Sequence, residues 1–506
     1  MVQMRTWRLL LDLDASPMKA SYRKIVDGLA SAIQNGRLEP GAALPGTREL
    51  AEILDVNRKT VMLAYEEAIV KGWLVSEPRR GTFVNALLES PQASSQATST
   101  KRKAAQTASF APEVISPALP PYFDDLHLPS VRAGRNGESM YFDNGAPDHR
   151  LLPQAVLHRY YRNAMTTAFK SNWVKYGNLE SAEKLRTALA DMLRTTRNLA
   201  VTSDNICLTQ GTQMALHLAA SALIRPGDVV LVERLSYPPA WAIFLALGAR
   251  IEVVDIDQDG CKTDHVEALC KLHSVKLIYV TPHHQFPTTV SMRADRRQKL
   301  LLLAARHRFT VIEEDYDHEY HFEGRPYLPL ASDPQQRNVI YIGSLSKLLG
   351  SSFRCGFIAA PVNLIEVLNH NLLLMSTQSD AVMQKMLADL ISDGELRKHL
   401  RRASKLYRLR KEALQDGLQT AFGEDIRVRN PEGGLALWVE FDKRIRVDAL
   451  AKHAADKKLF IRSGRQFSPQ DSAVNAVRLG FASMNPDEIG IAVKRLHEAS
   501  RLAMKK

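Results

Sequence analysis

Cysteine is scarce: 506 residues hold four, Cys207, Cys261, Cys270 and Cys355, and no two stand as Cys-x-x-Cys. That spacing argues against a zinc ribbon or a disulfide framework and for reduced thiols in a cytosolic protein. Long apolar runs are also missing. The longest, Ala240 to Ala249, falls far short of the ~20 residues a membrane helix needs. Near the start, only Leu9 to Leu11 separates Arg5 and Arg8 from Asp12, too short for the apolar region of a signal peptide. The expectation is a soluble, cytoplasmic protein with no membrane partner. Solenoid-length repeats are absent.

Length sets a prior of roughly three folded units at about 150 residues each. From about 86 to 138 the sequence turns to Ser, Ala, Thr, Gln and Pro, as in Ser90-Pro91-Gln92-Ala93-Ser94-Ser95-Gln96 and Ala118-Leu119-Pro120-Pro121. Such a segment buries too little apolar surface to order itself and reads as a flexible linker. It divides a head, residues 1–85, from a body, residues 139–506, with a smaller subdomain from about 395 to 506. The formal charge is +12, from 67 Lys and Arg against 55 Asp and Glu. That surplus invites a polyanionic partner. Most of it falls in the body, however, so net charge alone does not mark the head as a DNA-binding domain.

In the head, Met18, Tyr22, Ile25, Val26, Leu29 and Ile33 recur at helical spacing up to Asn35-Gly36, where glycine can end the helix. A second helix is expected with Thr47 as N-cap and Leu50, Ile53 and Leu54 inward. After an Asp55-Val56 turn, Asn57 can cap a third helix whose apolar face is Val61, Tyr65, Ala68 and Ile69 and whose first turn is Arg58-Lys59-Thr60. Two short helices, a tight turn and a polar tip fit a helix-turn-helix, in which that tip meets base edges in the major groove. Trp73-Leu74-Val75 and Thr82-Phe83-Val84 follow as a hairpin wing that brings Arg79 and Arg80 beside DNA.

The strings Tyr22-Arg23-Lys24-Ile25, Gly36-Arg37-Leu38-Glu39-Pro40-Gly41, Leu44-Pro45-Gly46-Thr47-Arg48-Glu49-Leu50-Ala51 and Gly81-Thr82-Phe83-Val84 resemble the winged helix of GntR-superfamily regulators across nearly the whole head. The resemblance implies double-stranded operator DNA as partner, with contacts from Arg48, Asn57, Arg58, Lys59 and Thr60 and with Gly81 in the wing.

The body alternates β-branched runs with helical stretches: Ile206–Leu208, Val229–Val232, Ile251–Val254, Leu277–Val280, Thr310–Ile312 and Val339–Ile342. This predicts a mostly parallel α/β sheet with its ligand at the strand carboxyl ends. The polar motifs stand there. Thr212 and Gln213 open a helix after Gly211 and suit a phosphate. Ser344 and Arg354 can hold the same group, and Lys347 at a strand end is a Schiff-base candidate if its ammonium is desolvated. With Tyr237 as a flat ring and Glu314-Asp315-Tyr316 as acids and a phenol, the set describes pyridoxal 5'-phosphate.

With Tyr176-Gly177, Pro226-Gly227-Asp228-Val229-Val230, His284-Gln285-Phe286-Pro287-Thr288 and Arg478-Leu479-Gly480-Phe481 added, the body resembles fold-type I, class I aminotransferases over essentially its whole length. Head and body together resemble the MocR subfamily of GntR-type regulators. The resemblance implies that Lys347 bonds the cofactor aldehyde, Arg354 binds its phosphate, Tyr237 stacks on its ring and Tyr316 contacts the ring oxygen. It further implies that Arg478 pairs with an amino-acid carboxylate and that Tyr176 reaches the phosphate of a neighbouring subunit, hence a homodimer.

Three positions depart from the family pattern. The pyridinium carboxylate falls on Glu314, with Asp315 beside it as the alternative. Phe286-Pro287-Thr288-Thr289 replaces Asn-Pro-x-Gly, and Ser181 replaces a glycine. A basic run from Arg397 through Lys398, Arg401, Arg402, Lys405, Arg408 and Arg410 to Lys411 is either a solvated helix face or a surface for bent DNA. Two functions are in play. One is a regulator whose body senses pyridoxal phosphate or an amine or amino-acid effector. The other is a working aminotransferase with an accessory head; half-transamination within a regulator would blend the two.

Overall fold

The computed structural model describes residues 7, 22–78, 80–86, 139–171, 173, 180–323, 327–333, 338–376 and 380–504. The chain divides into two units, Met1–Ile115 and Ser116–Lys506. Met18, Arg79, Tyr176 and, apart from Ala86, the expected linker lie outside the described residues.

In the head, helix α1 (Tyr22–Gln34) buries Ile25, Val26, Leu29 and Ile33, the stripe a 3.6-residue period places on one face. It ends at Gly36, whose φ of 69° is open to glycine at little cost. Helices α2 (Thr47–Leu54) and α3 (Arg58–Val70) follow, and Asp55 with φ 55° reverses the chain between them. One expectation needs correction: Gly46, not Thr47, occupies the N-cap of α2, and no side chain caps that end. Thr47 is already helical because the backbone after Pro45 enters the helix one residue early. Asn57 does cap α3, accepting from the Lys59 N–H at 2.8 Å. Strands β1 (Leu74–Glu77) and β2 (Gly81–Val84) form the antiparallel wing, tied to the core through Leu74 and Val84.

The body centres on a seven-stranded sheet. Its strands are β3 (Ile206–Thr209), β4 (Val229–Glu233), β5 (Arg250–Val254), β6 (Val275–Val280), β7 (Thr310–Asp315), β8 (Val339–Ser344) and β9 (Gly356–Ala359), in the spatial order β3-β9-β8-β7-β6-β4-β5. All but β9 run parallel, and β9 lies antiparallel between β3 and β8. Helices cover both faces, which is why the central strands are buried end to end and read as unbroken apolar runs.

Helices α4 (Gln154–Lys170) and α5 (Glu180–Arg197) precede the sheet, and α6 (Thr212–Leu223) follows β3. The smaller subdomain carries strands β10 (Ile426–Val428), β11 (Ala436–Phe441) and β12 (Ala476–Gly480), all antiparallel. Its helices α7 (Glu395–Phe422) and α8 (Pro486–Ala503) share that core through Leu414, Leu418, Val493 and Leu496.

Helix α7 divides the basic run, because two of its eight residues belong to neither a solvated face nor a surface for DNA. Arg410 and Lys411 are buried: Arg410 pairs with Asp148 at 2.9 Å, and the Lys411 ammonium donates to the Pro431 carbonyl. The apolar face of α7 includes Tyr407 and Leu414, and these two long side chains follow it inward with their charged ends neutralised. Arg397, Lys398, Arg401, Arg402, Lys405 and Arg408 are exposed.

Candidate functional site

Strand β3 delivers the chain to Gly211, whose φ of 92° lets the backbone turn directly into α6 at Thr212. Strand β9 pairs with β3 just behind that turn. A Cβ on Gly356 would stand 2.8 Å from the Gly211 backbone, so glycine at 356 permits the close approach. The same pairing brings in Arg354, which donates from Nη2 to the Gln210 carbonyl at 2.6 Å and lies 3.4 Å from where a Gly211 Cβ would be. The N–H groups opening α6, the fixed guanidinium and the Ser344 hydroxyl at the end of β8 form a cup for an anion.

Thr212, Gln213, Tyr237, Glu314, Tyr316, Ser344, Lys347 and Arg354 line one cavity of about 290 Å³ at the strand carboxyl ends. Arg478 stands behind Tyr316, outside this lining, and Asp315 does not line it either. Gly211, Ser346, Asn144, Tyr279 and Phe286 also line it; Phe286 stands where the Asn of Asn-Pro-x-Gly was expected, and Asn144 and Tyr279 were not expected there.

Lys347 follows β8, and its ammonium donates to the Gly145 carbonyl at 2.7 Å and the Asn144 carbonyl at 3.1 Å. Burial lowers its pKa from the ordinary lysine value and nearby Arg478 adds to this, while Asp143 opposes it. An amine so placed sheds its proton more readily than a surface lysine.

Across the cavity, burial pushes the Glu314 carboxyl up to about 7, although the Tyr279 hydroxyl donates to it at 2.5 Å. Asp315 faces the opposite way, as alternation along a strand requires. It accepts from the Tyr341 hydroxyl at 2.8 Å and lies 2.9 Å from His318 Nδ1. Burial alone would raise it; the adjacent His318, His283 and Arg197 hold it well below the ordinary value.

The Tyr316 hydroxyl donates to the His284 carbonyl at 2.7 Å. Arg478 is buried, donates to the Pro287 carbonyl at 2.8 Å and to the Tyr316 hydroxyl at 3.3 Å, and packs over the Phe286 ring at 4.7 Å. Its Nε has no protein partner. Phe286 meets Tyr237 and Tyr316 edge-on at 5.4 and 6.0 Å between centroids, an apolar side wall where the Asn of Asn-Pro-x-Gly would be polar. Thr289 keeps the backbone of the glycine it replaces, with φ 63°, a strained conformation for a β-branched residue. Ser181 is buried and donates to Gln384 at 2.8 Å.

The raised Glu314 pKa predicts a pH signature for the cofactor-free chain. The folded carboxyl holds its proton up to about pH 7, whereas the unfolded one releases it near the ordinary value of about 4.5. Its contribution is therefore fully present below about 4.5 and is lost as pH rises through 7. Glu314→Gln is uncharged at every pH, so its melting temperature relative to the parent should climb between pH 5 and pH 8. A difference that stays flat by calorimetry across that range would refute the burial of an ionisable carboxyl here.

In the head, Arg48, Asn57, Arg58 and Lys59 are exposed and Thr60 is half-buried at the tips of α2 and α3. Arg58 Nε is 3.4 Å from the Thr47 hydroxyl. Gly81, with φ 120°, opens the second wing strand. Arg80 pairs with Glu77 at 2.5 Å and lies over the Phe83 ring.

Residues 142–496 match the family model for aminotransferases of class I and II, and residues 21–84 match that for bacterial regulatory proteins of the gntR family. The probable rhizopine catabolism regulatory protein MocR of Rhizobium meliloti is 29% identical over 97% of this chain and 95% of its own length. The HTH-type transcriptional regulator TauR of Rhodobacter capsulatus is 27% identical over 94% of this chain and 95% of its own. Among solved structures, the kynurenine aminotransferase of Pyrococcus horikoshii superposes with a TM-score of 0.68 at 26% identity, covering 73% of this chain and 92% of that one. The chain belongs to the class I and II aminotransferase family, and the gntR-family head joined to that domain makes it one of the MocR-type regulators.

Proposed function

We propose that the chain regulates transcription by reading operator DNA with its winged helix while its body holds pyridoxal 5'-phosphate and senses an amine or amino-acid effector through it. The observation that carries this reading is the presence, in one chain, of an exposed basic tip on a helix-turn-helix and a cavity with a desolvated lysine beside an anion cup. The cavity suits the cofactor on its own chemistry. A cup of N–H groups and Arg354 answers a phosphate, and the Asn144 side-chain carbonyl in the wall has no protein partner. The Glu314 carboxyl, isolated by burial, gains a cation when a protonated ring nitrogen faces it.

Bound there, the cofactor would supply a reactive aldehyde and an electron-withdrawing ring. Lys347 provides the amine at that aldehyde, and Thr212, Gln213, Ser344 and Arg354 hold the phosphate. Tyr237 covers one face of the ring, Tyr316 turns its O–H from the His284 carbonyl to the ring oxygen, and Glu314 takes the nitrogen in preference to Asp315. Arg478 and Tyr176 are assigned, by family position, to an effector carboxylate and to a partner subunit's phosphate. The second copy has a suitable surface: Tyr161, Met165 and Phe169 stand exposed at intervals of four on α4, beside an open hollow of about 730 Å³. Among the described residues, no helix is long and apolar enough to cross a membrane. The cytoplasm is where such a partner DNA lies.

Footprinting on DNA upstream of the protein's own gene tests the reading. Cofactor-loaded protein should protect two half-sites a whole number of helical turns apart, as a two-fold dimer requires. The right amine should change the affinity by a factor of about 5–150, the usual range of allosteric coupling. No protection, together with steady turnover of an amino donor with a keto acid, would favour the aminotransferase instead. The complete cavity wall is the observation that keeps that second reading open.

A further inference from the structure

One group of side chains has no part in the cofactor cavity. His283 and His284 lie in the loop after β6 that carries Phe286 and Pro287; His321 lies just beyond Tyr316 after β7. Because β6 and β7 are parallel neighbours, the two loops emerge side by side. One donor nitrogen from each of the three imidazoles lies within 4.8 Å of the other two. Ring centroids are 4.2 Å apart for His283 and His284, 5.9 Å for His283 and His321, and 6.5 Å for His284 and His321.

The hydrogen bonding is what separates this cluster from ordinary core histidines. His283 and His284 are buried, yet both ring nitrogens of His283 and Nε2 of His284 have no partner. A buried polar atom left unsatisfied loses its hydration without compensation, so a protein rarely gathers several in one place. The remaining nitrogen of His284, Nδ1, is 2.7 Å from a carboxylate oxygen of buried Asp317. A carboxylate there accepts a hydrogen bond from Nδ1–H and leaves the Nε2 lone pair free, which is how metal-binding imidazoles are held. The backbone also keeps that nitrogen clear. A Cβ on Gly433 would stand 2.8 Å from His284 Nε2, and one on Gly434 would stand 3.1 Å from Asp317.

We propose that His283, His284 and His321 bind one first-row transition-metal dication of the zinc, cobalt, nickel or copper class. An all-imidazole donor set suits these ions and not the oxygen-seeking magnesium or calcium. Bonds of about 2.0–2.1 Å require the nitrogens to draw together to roughly 3.3 Å, a movement within the reach of ring rotations. His321 is only half-buried, so ions enter from its side, and a fourth position is left for water or an exogenous ligand. Metal there pins the loop bearing Phe286 to the segment beyond Tyr316 and stiffens one wall of the cavity.

The test uses the untagged full-length chain, stripped with chelator and dialysed against Zn²⁺ or Co²⁺. Metal per chain is counted by mass spectrometry, and cobalt is followed by its visible absorption. The expected result is one retained ion per chain and a nitrogen-ligated cobalt band. His321→Ala and, separately, His283→Ser should each reduce retention at least tenfold with unchanged far-UV circular dichroism. Two substitutions on different loops keep the test valid should one of them unfold the chain. Lys347→Ala should retain the ion, which separates the histidines from metal carried by the cofactor. Retention no greater than in buffer, retention indifferent to both histidine substitutions, a cobalt–thiolate band, or loss of the ion in Lys347→Ala would each overturn the assignment.

Discussion

Lys347→Ala, purified in the presence of pyridoxal phosphate, should emerge from gel filtration colourless, while the parent protein keeps a visible absorption band. Among the described residues lining the cavity, Lys347 is the only one with an amine side chain. The ammonium is held by two backbone carbonyls, at 2.7 and 3.1 Å, and these need no particular side chain opposite them, so its removal leaves the wall intact. The anion cup at Gly211 and Arg354 is also untouched, so added cofactor should still bind, reversibly and at least tenfold more weakly. Lys347→Arg provides the control, because it keeps a cation near Glu314 but cannot bond an aldehyde at neutral pH. Survival of the band in either variant would remove Lys347 from the role assigned to it.

Arg58→Ala combined with Lys59→Ala should weaken operator binding at least 100-fold at fixed salt. A good base contact discriminates by about 1–3 kcal/mol, and a phosphate contact adds a salt-dependent share. Both side chains are exposed, and the Asn57 cap that holds the helix start uses the Lys59 backbone N–H, which alanine retains. The head should therefore stay folded. Fluorescence anisotropy across a salt series separates the contributions: each lost phosphate contact lowers the slope of log affinity against log salt by about 0.9. An affinity within threefold of the parent would move the DNA interface away from the tip of α3.

The sequence exposed much of this architecture because its signals were local. The head helices follow their apolar spacing, and each of the six parallel strands contains its β-branched run. The cavity residues stand at strand ends, where parallel sheets put ligands. What escaped notice depends on tertiary pairing. Strand β9, Gly356–Ala359, is four residues long and begins with glycine, so nothing in its sequence announces a strand or its antiparallel direction. Tyr279 reads as one more apolar strand residue, and only the β6–β7 register aims its hydroxyl at Glu314. Asn144 precedes the sheet by more than 60 residues and reaches the cavity through Lys347. The histidine cluster is invisible for the same reason, since His284 and His321 are brought together by strand pairing and not by any fixed spacing. The basic run misled in the opposite sense: charge counts cannot reveal that Arg410 and Lys411 point into a core where Asp148 and a carbonyl await them.

The antiparallel strand also sets an order in time. The anion cup needs β9 against β3, and the paired residues Thr209 and Gly356 are roughly 150 residues apart, about 8–30 s of synthesis at ribosomal rates. All strand pairs and core contacts described for the head lie between residues 7 and 84. All the pairings within the head can therefore form in a nascent chain well before the cup, which cannot close until β9 has been made.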